Sequence, residues 1–214
     1  MPIEEQQITS KQHTIPNEFM CKRSFYVIVL VVFLGFVLGA SILVRIPTVS
    51  VVGNSTTVRA PAPDIKWFHN WGMAASSCNK DFVHRLNGDV IEYGSFVGWE
   101  ENPDTFDWNI LQDYKADYVV IKLGENATKP VLFAKYFQKL IDYFYDQGCK
   151  VLVVTQYGKN EYTLANAPVI AGAIHCQIVD INYLNDDPTM VGLYGHPNDK
   201  GMKFIADKIN EYIK

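Results

Sequence analysis

Apolar residues cluster in five short runs, each ending in turn-forming residues. Val49, Val51 and Val52 run into Gly53-Asn54-Ser55 and predict a first strand over 48–53. Asp89 to Tyr93, ending in Gly94-Ser95, predicts a second. The third covers 117–123, where Val119, Val120 and Ile121 are consecutive, as in strands covered on both faces. Residues 150–155 and 177–181 supply the fourth and fifth. Between these runs the spacing turns helical. Phe133, Phe137, Leu140, Ile141 and Phe144 lie between Thr128-Lys129-Pro130 and Gly148, which read as helix start and stop. Helices are also predicted over 73–86, with Ser77 as cap and Phe82, Val83 and Leu86 on one side, near 107–115, over 161–174 and at the C-terminal end. The last carries Ile205, Ile209, Tyr212 and Ile213 as its buried stripe. Strands alternating with helices imply an α/β fold, a mainly parallel sheet with helices on both faces. Function in such sheets gathers at the strands' carboxyl ends.

The first 45 residues follow another pattern. Residues 1–24 are polar, and Phe25 to Val44 then run without a charge. Twenty helical residues span about 30 Å, the thickness of a bilayer core. A cleaved leader, with Gly39, Ala40 and Ser41 near its end, is the alternative; the length of the run and the long polar segment before it favour an uncleaved transmembrane anchor over 25–45. Lys22 and Arg23 before the span, against Arg45 alone after it, place residues 1–24 in the cytoplasm. The domain expected over 46–214 then faces outward, periplasmic or extracellular, after a short linker at Arg45-Ile46-Pro47.

At 214 residues and 48% apolar composition the chain holds one full globular domain. Net charge is −4, and Glu100, Glu101, Asp104, Asp107 and Asp113 crowd one stretch with no basic footprint to follow, which excludes a nucleic-acid partner. Cys21 falls on the cytoplasmic side, so Cys78, Cys149 and Cys176 allow one disulfide at most. Cysteine spacing and five scattered histidines match no zinc site, and neither a metal nor a cofactor is expected. Trp67, Phe68 and Trp71, in a loop over 58–72, read either as the cover of a small core or as a sugar-stacking platform.

Three element edges carry the chemistry. Ser55 stands where the first strand breaks, Asn126 follows the third strand in Gly124-Glu125-Asn126, and His196 precedes the final helix. A serine becomes nucleophilic when a base takes its proton, and histidine is the usual base near neutral pH. The amide of Asn126 and the backbone N–H of Ser55 are the donors an oxyanion would need. Other readings compete. Asn54-Ser55-Thr56 and Asn126-Ala127-Thr128 both match the N-glycosylation pattern, and a glycan at either would block the site. His84 is a rival base, His69 and His175 lack a comparable setting, and Asp199 suits the first turn of the last helix.

Gly53-Asn54-Ser55, Gly124-Glu125-Asn126 and His196-Pro197 together resemble the serine, Gly-x-Asn and His-Pro blocks of the SGNH (GDSL-like) hydrolases, with asparagine at 54 where aspartate is commoner. The likeness spans about 48–214, and residues 71–86 are similar to a segment of a bacterial, membrane-anchored subgroup. The resemblance implies a flavodoxin-like three-layer α/β/α sandwich with the first strand central. It implies hydrolysis of acyl esters through a seryl intermediate, with Ser55 as nucleophile and His196 as base. Two positions depart from the family. Leu193 stands where an aspartate usually orients the histidine, which leaves a backbone carbonyl, Asp186 or Asp187 for that task. The glycine block that donates a further oxyanion amide is spread over Gly94, Ser95 and Gly98. The expected activity is a membrane-anchored serine esterase acting on short acyl esters, such as acetyl groups on a glycan. Acyl transfer to a polysaccharide, or a non-catalytic binding module, are the alternatives.

Overall fold

A computed structural model describes residues 45–158 and 160–214. The predicted anchor and cytoplasmic tail, residues 1–44, lie outside the described residues, among which no helix is long and apolar enough to cross a membrane. Five parallel strands form one sheet: β1 (Thr48–Gly53), β2 (Asp89–Ser95), β3 (Tyr118–Ile121), β4 (Lys150–Val154) and β5 (Gln177–Val179), in the order β2-β1-β3-β4-β5. β1 is interior, flanked by β2 and β3, but the central strand of the five is β3 and not, as expected, β1, because only β2 is added on its far side. The helices are α1 (Val97–Glu101), α2 (Pro130–Tyr145), α3 (Glu161–Ala171) and α4 (Asp199–Asn210).

Successive side chains of a strand point to opposite faces, and here both faces are apolar. Val49, Val51, Val120, Leu152 and Val154 pack against Met202, Ile205 and Ile209 of α4 and against Phe82 and Val83. Val52, Val119, Ile121, Val151 and Val153 pack against Phe133, Phe137, Leu140 and Phe144 of α2 and Ile170 of α3. The sandwich has three layers because each strand has two faces to bury. Pro130 stands at the start of α2, and Gly148, at φ +81°, turns the chain beyond its end.

The helix expected over 73–86 does not form. Two short 3-10 turns, Cys78–Lys80 and Val83–Arg85, replace it, and Ala74 is left-handed at φ +74°. Asp81 breaks the segment: its backbone is extended at ψ 166°, while its buried carboxylate accepts from the N–H of Gly72, in the loop before the segment, and of His84, and contacts His84 Nδ1 at 2.8 Å. Phe82, Val83 and Leu86 still bury, so the apolar spacing was right and the element wrong. Ser77 stands before the first turn without a side-chain capping bond. The segment near 107–115 is likewise 3-10, Trp108–Tyr114, capped by Asp107. The acidic stretch contains α1, whose Glu100 is buried.

Candidate active site

β1 delivers Ser55 through a turn that its sequence dictates. A Cβ at Gly53 would lie 1.8 Å from Thr57 Oγ1, so only glycine lets the chain fold back so closely. The N–H groups of Thr57 and Val58 donate to Asn54 O, Thr56 N–H donates to Asn54 Oδ1, and Met73 N–H donates to Ser55 O. These bonds leave the Ser55 N–H outside the turn's network.

His196 arrives from the other end of the chain. Asn198 caps α4 by accepting from Lys200 and Gly201 N–H, and its own amide donates to Thr189 O and Val191 O. An antiparallel bridge between Val191 and Pro197 closes the loop. So pinned, His196 Nε2 lies 2.8 Å from Ser55 Oγ. His196 Nδ1 faces Tyr194 O at 3.2 Å. A carbonyl only accepts, so Nδ1 carries the proton in the neutral ring and Nε2 offers its lone pair to the serine hydroxyl. Tyr194 (φ 51°) and Gly195 (φ 76°) are both left-handed, and that double turn brings the carbonyl round. Burial lowers the His196 pKa below the usual 6.5; Tyr194 O opposes this, and nearby Lys122 reinforces it.

Asp186 and Asp187 do not orient the ring. Asp186 is exposed, and Asp187 accepts from Thr189 N–H and Oγ1 and pairs with Lys200. The carbonyl of Tyr194 occupies the place a carboxylate would take.

Asn126 sits on the rim after β3. Its side-chain amide donates to Glu100 Oε2 at 2.8 Å, and Glu100 Oε1 accepts from the N–H groups of Gly124 and Asn126. An amide nitrogen carries two hydrogens, so one remains for the cavity. Glu100 is 1% exposed, and burial, then the charge of Glu125, push its pKa up to about 7. Beside it Lys122, wholly buried, pairs with Glu125 Oε1 and lies 4.7 Å from the centre of the Tyr157 ring. Glu125 Oε2 accepts from Asn54 Nδ2 at 2.7 Å, and Tyr157 Oη meets Thr56 Oγ1 at 3.2 Å.

Ser55, Asn126 and His196 share the wall of one cavity of 280 Å³ with Glu125, Tyr157 and Asn160. Among the described residues, no Val, Leu, Ile or Met side chain lines it. Gly94, Ser95 and Gly98 are not in its lining: Gly94 packs on Tyr114, and Ser95 and Gly98 are exposed. The aromatic loop is not there either. Trp67 is buried, its indole N–H donating to Arg59 O, and Trp71 donates to Ala75 O and stacks with His69 at 4.1 Å. Trp71 thus packs against the core, Trp67 is buried against His69 and Trp71, and Phe68 is exposed. His84 is paired with Asp81 and His175 with Asp142. Asp199 opens α4 as expected, and its carboxylate reaches out to Ser76 and Lys80. Both sequon asparagines have their amides engaged, Asn54 by Glu125 and Asn126 by Glu100.

Sequence reasoning missed Glu100 and Lys122. Lys122 had a signal: a lysine inside the run Val119-Val120-Ile121-Lys122-Leu123 needs a buried partner, and Glu125 is three residues on. Glu100 had none, being one acid among five in a polar stretch.

No protein-family model and no curated protein matches the chain. Solved structures do. A GDSL-like lipase from Bacteroides uniformis is 14% identical with a TM-score of 0.57, over 79% of this chain and 96% of that one. TesA is 18% identical with a TM-score of 0.52, over 76% and 95%. A family two carbohydrate esterase from Cellvibrio japonicus is 11% identical with a TM-score of 0.51, over 78% of this chain and 61% of that one. At such identities the likeness is one of fold, and the fold of residues 46–214 is that of the SGNH (GDSL-like) hydrolases.

Proposed function

We propose that the chain is a serine esterase that hydrolyses short acyl esters of polar alcohols. One observation carries the reading: Ser55 Oγ lies 2.8 Å from His196 Nε2, in the same cavity as Asn126. His196 takes the hydroxyl proton as Ser55 Oγ bonds to the acyl carbon. The oxyanion so formed accepts from the second N–H of Asn126 and from the Ser55 backbone N–H. His196 then protonates the departing alcohol. Water, deprotonated by the same imidazole, releases the acid and restores Ser55.

The cavity supports the substrate class. At 280 Å³ it is at the small end of ligand sites, and its walls are amide, hydroxyl, carboxylate and aromatic groups. The described lining offers a long acyl chain no Val, Leu, Ile or Met side chain, whereas an acetyl group on a sugar would meet hydrogen-bonding partners for the neighbouring hydroxyls. The fold neighbours described as lipase and as carbohydrate esterase make both ends of that range plausible for the scaffold. The polar lining favours the carbohydrate end. The uncharged run over 25–44 supports anchoring to a membrane with the cavity on the outer side.

The test is hydrolysis by the full-length chain in detergent. Acetate release from acetylated oligosaccharides, greater than release from octanoyl esters and abolished in Ser55→Ala, is expected. A folded chain that releases no acid from any short ester would overturn the reading.

A further inference from the structure

Asn54 is buried at the base of the nucleophile turn, and both ends of its amide are engaged. Oδ1 accepts from Thr56 N–H at 3.2 Å, and Nδ2 donates to Glu125 Oε2 at 2.7 Å. Glu125 is fixed in turn, because its other oxygen pairs with Lys122, which has no exposed surface. A buried ion pair gains little stability over apolar residues of the same size, so its use has to be sought in what it holds. What this pair holds is the residue preceding Ser55. We infer that Asn54 and Glu125 are a matched donor–acceptor pair, kept in register by Lys122, that positions the Ser55 turn for attack.

This explains a residue choice. An aspartate at 54 would keep the bond from Thr56 N–H but would set a carboxylate oxygen 2.7 Å from Glu125 Oε2, and two carboxylates at that distance, once both are ionised at higher pH, repel and move apart. Asparagine at 54 is therefore dictated by glutamate at 125. The reverse pairing should serve equally well. With aspartate at 54 and glutamine at 125, the glutamine oxygen still accepts from Lys122 and its nitrogen donates to the aspartate. Charge and hydrogen-bond count are then the same as before. Glu125 and Asn54 act through Ser55 and are positioning residues; their role rests on Ser55 being the nucleophile.

The groups that bear on the pair are few. Lys122 and Glu125 face Asn54 from the end of β3, Glu100 lies behind Asn126, Tyr157 comes from beyond β4, and His196 faces across the cavity. Asp81, near the turn through Gly72, is already paired with His84.

The experiment compares full-length wild type, Asn54→Asp, Glu125→Gln and the double exchange, reading kcat/KM and Tm from pH 5 to 9. Asn54→Asp is expected to lose about 10²-fold in kcat/KM at pH 8, mostly in kcat, as expected of a misplaced reacting group. The loss relative to wild type should shrink toward pH 5, where one carboxyl of the pair takes up a proton. The exchange is expected to recover kcat/KM to within about 10-fold of wild type and to flatten that pH-dependent ratio, as coupled neighbours do. Should Asn54→Asp not fold, an exchange that folds and hydrolyses supports the pairing, and one that stays unfolded overturns it. An exchange no better than the worse single variant, in rate and in Tm, also overturns it. A folded wild type without hydrolysis defeats the functional reading alone, and the Tm series still decides whether the two residues are matched.

Discussion

The middle of the sheet and its carboxyl rim are cut from the same strands and follow opposite rules. Val51, Val120 and Leu152 lie side by side in register, buried in apolar surroundings, and any of them could be exchanged for a residue of similar volume. Within three residues the chain buries Asn54, and Lys122 follows Ile121 without a break, with Glu100 brought alongside from α1. Desolvating such groups is costly unless each finds a partner, and here the chain supplies one: Lys122 with Glu125, Glu125 with Asn54, Glu100 with Asn126. The middle holds the fold together. The rim spends stability to fix three side chains around one cavity.

The contrast breaks most sharply at His196. Replacing it with alanine should cost about 10⁶-fold in ester hydrolysis while leaving Tm nearly unchanged, since removing the base of such a site costs about as much as removing the whole set. Next come two substitutions chosen as opposites. Asn126→Ala should lower kcat by about 10²–10³-fold, the usual cost of a lost oxyanion donor. Leu152→Ala should lower stability by about 2–5 kcal/mol and leave the folded protein's rate within a few-fold. If Leu152→Ala instead silenced the folded chain, the division of labour would be wrong.

Glu100 sharpens the comparison through pH. Burial pushes its carboxyl up to about 7 in the folded chain against an ordinary 4.5, so the native state holds the proton more tightly than the unfolded one. The stability this confers is complete below about pH 4.5 and is lost as pH rises through about 7, about 3 kcal/mol in all. In Glu100→Gln that slope should vanish from denaturation midpoints measured between pH 4.5 and 8, and kcat should drop as Asn126 loses its acceptor. A slope that survives would place the titrating group elsewhere.

The smallest effect is expected at Leu193. Burial already holds the His196 imidazole neutral to below pH 6.5, so the acid limb of the rate profile should lie below that value. Leu193→Asp would add the missing carboxylate, stabilise the imidazolium and move that limb up by about 1 pH unit, the least change expected of a nearby opposite charge. A limb that stays where it was would mean that the side chain at 193 does not reach the ring.

The same contrast governs what the sequence reveals. β1 was legible to the residue, because a β-branched run meeting Gly53 has few other outcomes. α2 was legible from its aromatic stripe, and the element edges that bring Ser55, Asn126 and His196 to one cavity were legible from the runs that end there. The helix over 73–86 misled because one buried acid, Asp81, takes an extended backbone and ties the segment to Gly72 in the loop before it, a contact that helical spacing does not encode. Glu100 was illegible for the converse reason: its burial is created by α1 folding against the rim, a long-range event that no local pattern encodes. The orienter of His196 is a main-chain oxygen, and main-chain atoms leave no mark in a sequence beyond the glycine at 195 that helps turn them.

Serine-directed fluorophosphonate labelling of the intact chain, with Ser55→Ala and His196→Ala beside it, reaches the heart of the matter. Rapid modification of wild type mapped to Ser55, slowed by orders of magnitude in His196→Ala and absent in Ser55→Ala, is the expected pattern. A folded wild type that stays unlabelled, or labelling that persists after Ser55→Ala, would show that this hydroxyl and this imidazole do not make a nucleophile.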